Sequence, residues 1–370
     1  MSKDSKKIVL LSTFYDPFMS GAEQMVKEIA ERLGQVHEIT LVTARLDRGL
    51  ARVEERANFR LVRVGFGWKN FDKILYPFLA VWQVRKIKPE IAHAIMESYA
   101  GGALVLVKYF SPRVKRILTL QSGDLDDVRK QKKFIVKFFW RLIHTSPDFL
   151  TAISSFLAER AVRLGVPREK IAITPNGIDF NEVPENISKE KNRVICVARL
   201  SWEKGLNYLL DAWPKVLAEF SDAKLVFVGE GDKRVEMEKQ IQELNLTDSV
   251  ELKGRLAHSE TLKEIARSEI FVCPSLAEGL GNVFIEAQAC GTPAIGTRVG
   301  GIPDVIQDGF SGLLIEPKNS EAIAGALFKL LKNTELRQGL ARNGAESARQ
   351  FDWQKIIEKI NEIYYNLKHE

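Results

Sequence analysis

Long apolar runs are missing from this chain. Nowhere does it reach the roughly eighteen consecutive apolar residues that a membrane-spanning helix requires. A secretory leader is not expected either: the polar Met1-Ser-Lys-Asp-Ser-Lys-Lys7 runs straight into the short apolar segment Ile8-Val-Leu-Leu11, with no small-residue cleavage site. Cysteine is scarce. Cys196, Cys273 and Cys290 lie far apart, show no CxxC spacing and sit among apolar residues, and their odd count argues against a disulfide framework. They read as buried thiols in a reducing cytoplasm. Low-complexity tracts and short internal repeats are also absent, which sets aside a repeat architecture.

What is present has a globular composition. The 370 residues are 45% hydrophobic and 28% charged, enough for two ordinary domains each with its own core. The net charge of +6 is unevenly spread. Residues 1–183 carry 30 Lys and Arg against 20 Asp and Glu, a balance of +10, whereas residues 184–370 carry 24 against 28, a balance of −4. Halves so different should meet different partners, and a basic half suits an anionic surface: membrane, nucleic acid or an acidic acceptor.

Strand-like and helix-like patterns alternate. Lys7-Ile-Val-Leu-Leu11 reads as a strand, followed by Gly21, a helical pattern over 22–33 and a strand at 38–42. Further strands are expected at 59–64, 91–94, 116–120 and 149–152. Ile171-Ala-Ile-Thr-Pro-Asn-Gly-Ile-Asp179 ends in turn chemistry, and the polar 184–192 reads as a linker. The pattern then restarts, with strands at 193–198, 224–228, 249–252, 270–273 and 293–295 and helices at 206–220, 234–244, 259–267 and 282–289. Such alternation makes parallel sheets with helices on both faces, and these sheets bind ligands beyond the carboxyl ends of their strands. The expected fold is α/β: two Rossmann-like doubly wound parallel-sheet domains facing across a cleft where two substrates can meet. The expected boundaries are 1–183 and 184–345. The remaining segment, 346–370, holds an amphipathic helix with Ile356, Ile357, Ile360, Ile363, Tyr364 and Leu367 on one face, taken to pack back on the first domain.

The residues that carry chemistry concentrate in the second half. Glu278-Gly-Leu-Gly-Asn-Val-Phe-Ile-Glu286 places two carboxylates eight positions apart around two glycines and the start of a helix. Glycines after a strand let backbone approach a ligand, and a helix N-terminus attracts phosphate. Two carboxylates so placed can accept hydrogen bonds from the hydroxyls of a sugar or ribose. The pair gains weight from Ala287-Gln-Ala-Cys-Gly291-Thr-Pro293 and Gly300-Gly-Ile-Pro-Asp304, although Gly300 and Gly301 also suit a plain turn.

On these residues the chain resembles retaining glycosyltransferases of the two-Rossmann (GT-B) kind, family four. The resemblance covers nearly the whole chain and is densest over 193–317, including Val197-Ala-Arg-Leu-Ser-Trp-Glu-Lys-Gly205 and Phe227-Val-Gly-Glu-Gly231. It implies that Glu278 lies at the donor sugar, that Glu286 binds the ribose, and that Arg199 and Lys204 hold the donor diphosphate. Two fixed cations can stabilise a leaving diphosphate without a metal. The backbone of Gly254-Arg255-Leu256 resembles the family's base-reading loop, so Arg255 and Leu256, with Gly229 and Glu230, fall on the donor side. Gly279, Leu280, Gly281, Asn282 and Val283 would offer backbone amides to the diphosphate, and Gly21 an amide from the other domain.

One position departs from the family. A His is expected after a Thr at a strand end in the first domain, but Ile117-Leu-Thr-Leu-Gln-Ser-Gly-Asp124 places Gln121 there. A Gln exchanges hydrogen bonds but cannot act as a general base. Gln121 could position the sugar, Asp124 could assist the acceptor, or the donor's own phosphate could take the acceptor's proton, as front-face attack in such enzymes implies. His93, in Ile91-Ala-His-Ala94, resembles another recurrent family His and joins Gln121 and Asp124 as an acceptor-side candidate, with a structural role as the alternative. Asp124-Leu-Asp126 has the DxD spacing of a metal site in a different glycosyltransferase fold, but short acidic triplets are common. No metal is expected, and no cofactor beyond the nucleotide-sugar donor.

The first half also carries Arg129-Lys-Gln-Lys-Lys-Phe-Ile-Val-Lys-Phe-Phe-Trp-Arg141, with six cations and no acid. As a helix, Lys133, Lys137 and Arg141 form a stripe beside Phe134, Ile135, Phe138, Phe139 and Leu142. This reads either as a membrane-surface element over 129–143 or as a core helix with a solvated basic stripe; Gly67-Trp-Lys-Asn-Phe-Asp-Lys-Ile-Leu-Tyr-Pro77 is a second candidate. The expectation is a cytoplasmic hexosyltransferase, peripheral on the inner face of the plasma membrane, with a glycan or lipid-linked acceptor. Alternatives are a nucleotide-sugar epimerase on the same architecture and a sugar-nucleotide-binding protein without catalysis. No RNA- or DNA-binding motif accompanies the basic half, and nucleic acid is not expected as a partner.

Overall fold

The structure, a computed structural model, describes residues 5–123 and 134–367, the side chains of 134–136 excepted. Asp124, Asp126 and the cations of 129–133 therefore lie outside the described residues. Two compact units form, the first from 5–122, 134–176 and 353–367, the second from 177–352 with Gly123.

The first unit is an eight-stranded sheet: β1 (Lys7–Leu11), β2 (Glu38–Ala44), β3 (Val53–Glu55), β4 (Arg60–Val64), β5 (Ile91–Ile95), β6 (Lys115–Leu120), β7 (Phe149–Ala152) and β8 (Ile171–Ile173). Their order is β3-β4-β2-β1-β5-β6-β7-β8, and every pairing is parallel except β3 with β4. Ile8, Val9, Leu10 and Leu11 are all buried. A parallel strand covered on both faces demands such a continuous apolar run rather than alternation. The covering helices include α1 (Gly21–Leu33), α2 (Lys69–Ile87), α3 (Tyr99–Phe110), α4 (Phe134–Thr145) and α5 (Ser155–Arg163).

In the second unit, β9 (Glu190–Val197), β10 (Lys224–Val228), β11 (Val250–Leu252), β12 (Ser268–Val272), β13 (Ala294–Thr297) and β14 (Gly312–Ile315) pair in parallel in the order β11-β10-β9-β12-β13-β14. Its helices are α6 (Leu206–Glu219), α7 (Arg234–Glu243), α8 (His258–Ala266), α9 (Asn282–Ala289), α10 (Ile302–Val305), α11 (Ser320–Lys332) and α12 (Thr334–Ala348). Both units are doubly wound α/β domains with parallel sheets, apart from the β3–β4 pair.

The last helix, α13 (Trp353–Asn366), clusters with the first unit and packs on α1. Trp353, Ile356, Ile357, Ile360 and Tyr364 are buried there. Two histidines hold it: His37 Nε2 lies 2.7 Å from Asn361 Oδ1, and His93 Nδ1 lies 2.7 Å from the Tyr364 hydroxyl. Among the described residues, no helix is long and apolar enough to cross a membrane.

Candidate active site

Strand order decides where a site can form. In the second unit the order reverses at the β9–β12 boundary, so the loops leaving the carboxyl ends of these two strands diverge and open a crevice. Those loops carry Arg199 and Lys204 after β9, and Glu278 after β12.

Lys204 ends a single 3-10 turn, Trp202–Lys204, closed by Gly205 at φ 62°. A Cβ at Gly205 would stand 2.4 Å from the Pro274 carbonyl oxygen, so glycine lets this turn settle on the 274–278 loop. The Leu276 amide donates to the Glu203 carbonyl at 2.7 Å. Across this seam Lys204 Nζ donates to Glu278 Oε2 at 2.6 Å, both side chains being less than one-fifth exposed. Ser275 Oγ lies 3.5 Å from the same oxygen. Burial alone would lower the Lys204 pKa, but the charge of Glu278, then that of Cys273, outweighs burial and holds the ammonium above its usual range.

Arg199 pairs with Glu203, Nη2 to Oε1 at 2.6 Å, and its side chain is 62% exposed. Glu203 itself is buried. Burial pushes its carboxyl up, while hydrogen bonds from Ser201 and its own backbone, with the Arg199 charge, bring it net below the ordinary carboxylate range. The Arg199 guanidinium is thus tethered through Nη2 to a buried carboxylate while most of the side chain faces solvent.

Glu278 is gripped by its main chain. A Cβ on Gly300, at φ 55°, would sit 1.8 Å from the Glu278 carbonyl oxygen, and the Gly301 amide donates to that oxygen at 3.3 Å. Gly300 therefore serves a close backbone approach and is more than turn chemistry. Gly279 and Leu280 are buried, and Gly281, at φ 94°, precedes α9 where a Cβ would stand 2.6 Å from the Phe284 ring and 3.3 Å from Glu278 Cγ. No side chain caps α9. Its first turn, with Asn282 and Val283, puts the positive end of the helix dipole beside Glu278. Glu286, one turn further, is half-buried. Burial raises its carboxyl pKa, His258 opposes the rise and Glu182 adds to it. His258 Nε2 lies 3.5 Å from Glu182 Oε2.

The loops after β10 and β11 stack on the same end. A Cβ on Gly229, at φ 140°, would stand 1.9 Å from the Ala198 carbonyl oxygen, and the Gly229 amide donates to Gly254 at 2.8 Å. Glu230 pairs with Arg234 at 2.7 Å and is half exposed. Arg255 is exposed and Leu256 half-buried. All the residues of the second half expected on the donor side thus follow the carboxyl ends of β9 to β12.

In the first unit, Gly21 is the first residue of α1. Gln121 follows β6 and exchanges two amide hydrogen bonds with Asn176, at 3.1 and 3.2 Å. His93 corrects its acceptor-side expectation. It is fully buried, with Nε2 2.6 Å from Thr119 Oγ1 and Nδ1 on Tyr364, so neither nitrogen faces a substrate. Burial drives its pKa down to about 3, and the ring is neutral. Asp124 lies outside the described residues.

Several residues escaped sequence reasoning. Glu203 and Ser275 sit inside or beside the quoted motifs; the Arg199–Glu203 spacing of four was the signal available. Glu97 is fully buried after β5, accepts from the Gln121 and Ser122 amides at 3.1 and 3.2 Å, and meets Arg160 Nη2 at 2.5 Å. A lone acid after an apolar strand was its only mark.

The sheet orders define two doubly wound α/β units, with a Lys–Glu pair at the reversal of the second sheet. Two family models match in succession: a glycosyl transferase 4-like domain over 20–177 and glycosyl transferases group 1 over 178–347. The chain belongs to the group 1 glycosyltransferases of the GT-B fold. It is 29% identical to N-acetyl-alpha-D-glucosaminyl L-malate synthase of Bacillus anthracis, covering 93% of this chain and 92% of that one. It is 27% identical to a chain of the human phosphatidylinositol N-acetylglucosaminyltransferase, covering 96% and 75%. Among solved structures it resembles sucrose-phosphate synthase from Thermosynechococcus elongatus, with TM-score 0.85, 21% identity and coverage of 98% and 99%. It also resembles Anabaena HepE in complex with UDP-glucose, with TM-score 0.79, 20% identity and coverage of 98% and 100%.

Proposed function

We propose that this glycosyltransferase moves a hexose from a nucleoside diphosphate sugar, UDP- or GDP-linked, to a glycan or lipid-linked acceptor with retention of anomeric configuration. The carrying observation is the Lys204–Glu278 pair at 2.6 Å, set at the sheet's reversal point beside the start of α9. As the glycosidic bond breaks, negative charge grows on the departing diphosphate. Lys204, Arg199 and the α9 N-terminus supply fixed positive charge there, so no metal is required. Glu278 orients Lys204 and accepts from sugar hydroxyls, while Glu286 accepts from the ribose hydroxyls. Gln121 cannot take a proton, so the donor's own phosphate accepts the one lost by the acceptor hydroxyl, with Asp124 as the side chain that could assist it.

Residues 1–183 would receive the acceptor and 184–345 the donor, in cell-envelope polysaccharide or glycolipid synthesis at the inner face of the plasma membrane. The UDP reading draws support from the HepE complex with UDP-glucose. Thermal-shift screening against UDP-, GDP- and ADP-sugars tests it, because a ligand of the native state raises the melting temperature. A rise with one donor series is expected; no rise with any would refute the donor reading.

A further inference from the structure

Helix α2 is apolar on two opposite faces. Tyr76, Ala80 and Val84 are buried in the unit, whereas Phe71, Ile74, Phe78 and Trp82 are 46, 61, 61 and 59% exposed. Helical residues two apart point about 200° apart, so positions 74, 78 and 82 lie opposite 76, 80 and 84. Folding of the unit accounts for the first face and leaves the second in water.

The exposed stripe continues beyond the helix start. Phe66 and Trp68 are 54 and 52% exposed, and the rings of Phe66, Trp68 and Phe71 have centroids 5.8 to 6.4 Å apart. Asp72 fixes them. Its buried carboxylate accepts from the Phe66, Gly67 and Trp68 amides at 2.6 to 3.0 Å. Contiguous apolar surface of this kind on a folded domain marks an interaction site.

Charge identifies the partner. Helix α3 packs against both α2 and α4. Across these three helices the sequence has seven Lys and Arg and one acid, the buried Asp72. Lys69, Arg85, Lys86, Lys137 and Arg141 are exposed. A second copy of the chain seated here would set cations against cations in an isologous contact. Aromatic rings rimmed by cations, with no exposed acid on the three helices and one, Asp47, beside Trp68, match instead the boundary of an anionic bilayer: tryptophan settles at headgroup depth and lysine or arginine reaches lipid phosphates.

We propose that the Phe66–Trp68 loop and the outer face of α2 seat the first unit on an anionic lipid bilayer. This deepens the membrane reading above and rests on it, but places the principal contact on α2 instead of on 129–143.

The test is cosedimentation with vesicles of phosphatidylcholine alone or with added phosphatidylglycerol. The wild type is expected on the anionic vesicles and to leave them as salt rises. Phe78→Ser with Trp82→Ser lowers binding by about tenfold or more. Val235→Ser, at a residue 74% exposed in the second unit, leaves it unchanged. Unchanged melting temperatures separate lost binding from lost folding. If Phe138→Ser with Phe139→Ser detaches the protein while the α2 variant binds like wild type, the seat lies on α4; this proposal falls and the membrane reading survives. Binding to both vesicle types alike, or to neither, overturns both. A dimer in light scattering that the α2 variant abolishes shows a second copy as the occupant and also overturns the proposal.

Discussion

Replacing Lys204 with alanine separates the structural from the chemical role of the central ion pair. Lys204 and Glu278 are each less than one-fifth exposed and 2.6 Å apart. Breaking a fully buried pair costs about 3–5 kcal/mol; discounting for residual exposure leaves roughly 2 kcal/mol. For a unit of this size that lowers the melting temperature by about 4–8 °C. Chemistry should suffer more. Loss of one preorganised positive group at a developing anion slows turnover by about 10²–10³-fold. Differential scanning fluorimetry of the free protein reads the first effect, and nucleoside diphosphate release at saturating donor reads the second. The double variant Lys204→Met with Glu278→Gln removes the unpaired charge, so stability returns toward wild type while turnover does not. Turnover of Lys204→Ala within about threefold of wild type at saturating donor would refute the leaving-group role.

Glu286→Ala should weaken donor binding roughly 10–100-fold by calorimetry, the loss of hydrogen bonds to one ionised acceptor; unchanged affinity contradicts the ribose role. Because the Glu286 pKa is raised, the carboxylate is lost as pH falls, and donor affinity should begin to drop above the ordinary carboxylate range. His93 sets a stability dependence of definite sign. Its folded pKa of about 3 lies below the ordinary 6.5, so its stabilisation is complete above pH 6.5 and disappears as pH falls toward 3. The full loss is about 5 kcal/mol, of which about 2 kcal/mol is gone at pH 5. Urea melts at pH 7 and 5 should show a smaller difference for His93→Gln than for wild type; equal differences would exclude His93 as the cause. Gly300→Ala should disorganise the Glu278 loop and lower both stability and turnover, because its Cβ would meet a carbonyl oxygen at 1.8 Å. Gly339→Ala, in α12 with open space at its Cβ, should instead stabilise by about 0.5–1 kcal/mol in thermal melts.

The strands were the legible part of the fold. Both sheets announce themselves as short β-branched runs such as Arg193-Val-Ile-Cys-Val-Ala198, because a parallel strand is buried on two faces. Helix α9 was read at 282–289, its observed bounds, with glycines marking its start. Helix α2 was read only in part, as the 67–77 candidate for a membrane-surface element: it is apolar on two faces and contains Pro77, so neither periodicity nor propensity gives its full extent. Strand β3 pairs antiparallel with β4 over three residues and carries no apolar run.

The site was legible where its parts lie close in sequence. Glu278 to Glu286 share one loop and helix, and Arg199 and Lys204 one turn. The Lys204–Glu278 contact spans 74 positions and had to wait for the sheet order. His93 misled because a histidine in an apolar strand looks the same whether it faces a ligand or a buried tyrosine 271 positions away.

The central claim is hexose transfer from a nucleotide sugar with retention. Proton NMR of the anomeric region during turnover of the donor that raises the melting temperature tests it most directly. The account predicts released nucleoside diphosphate and a first-formed sugar product with the donor's anomeric configuration, even when water is the only acceptor. An inverted product, or an epimerised donor without nucleoside diphosphate release, would contradict it.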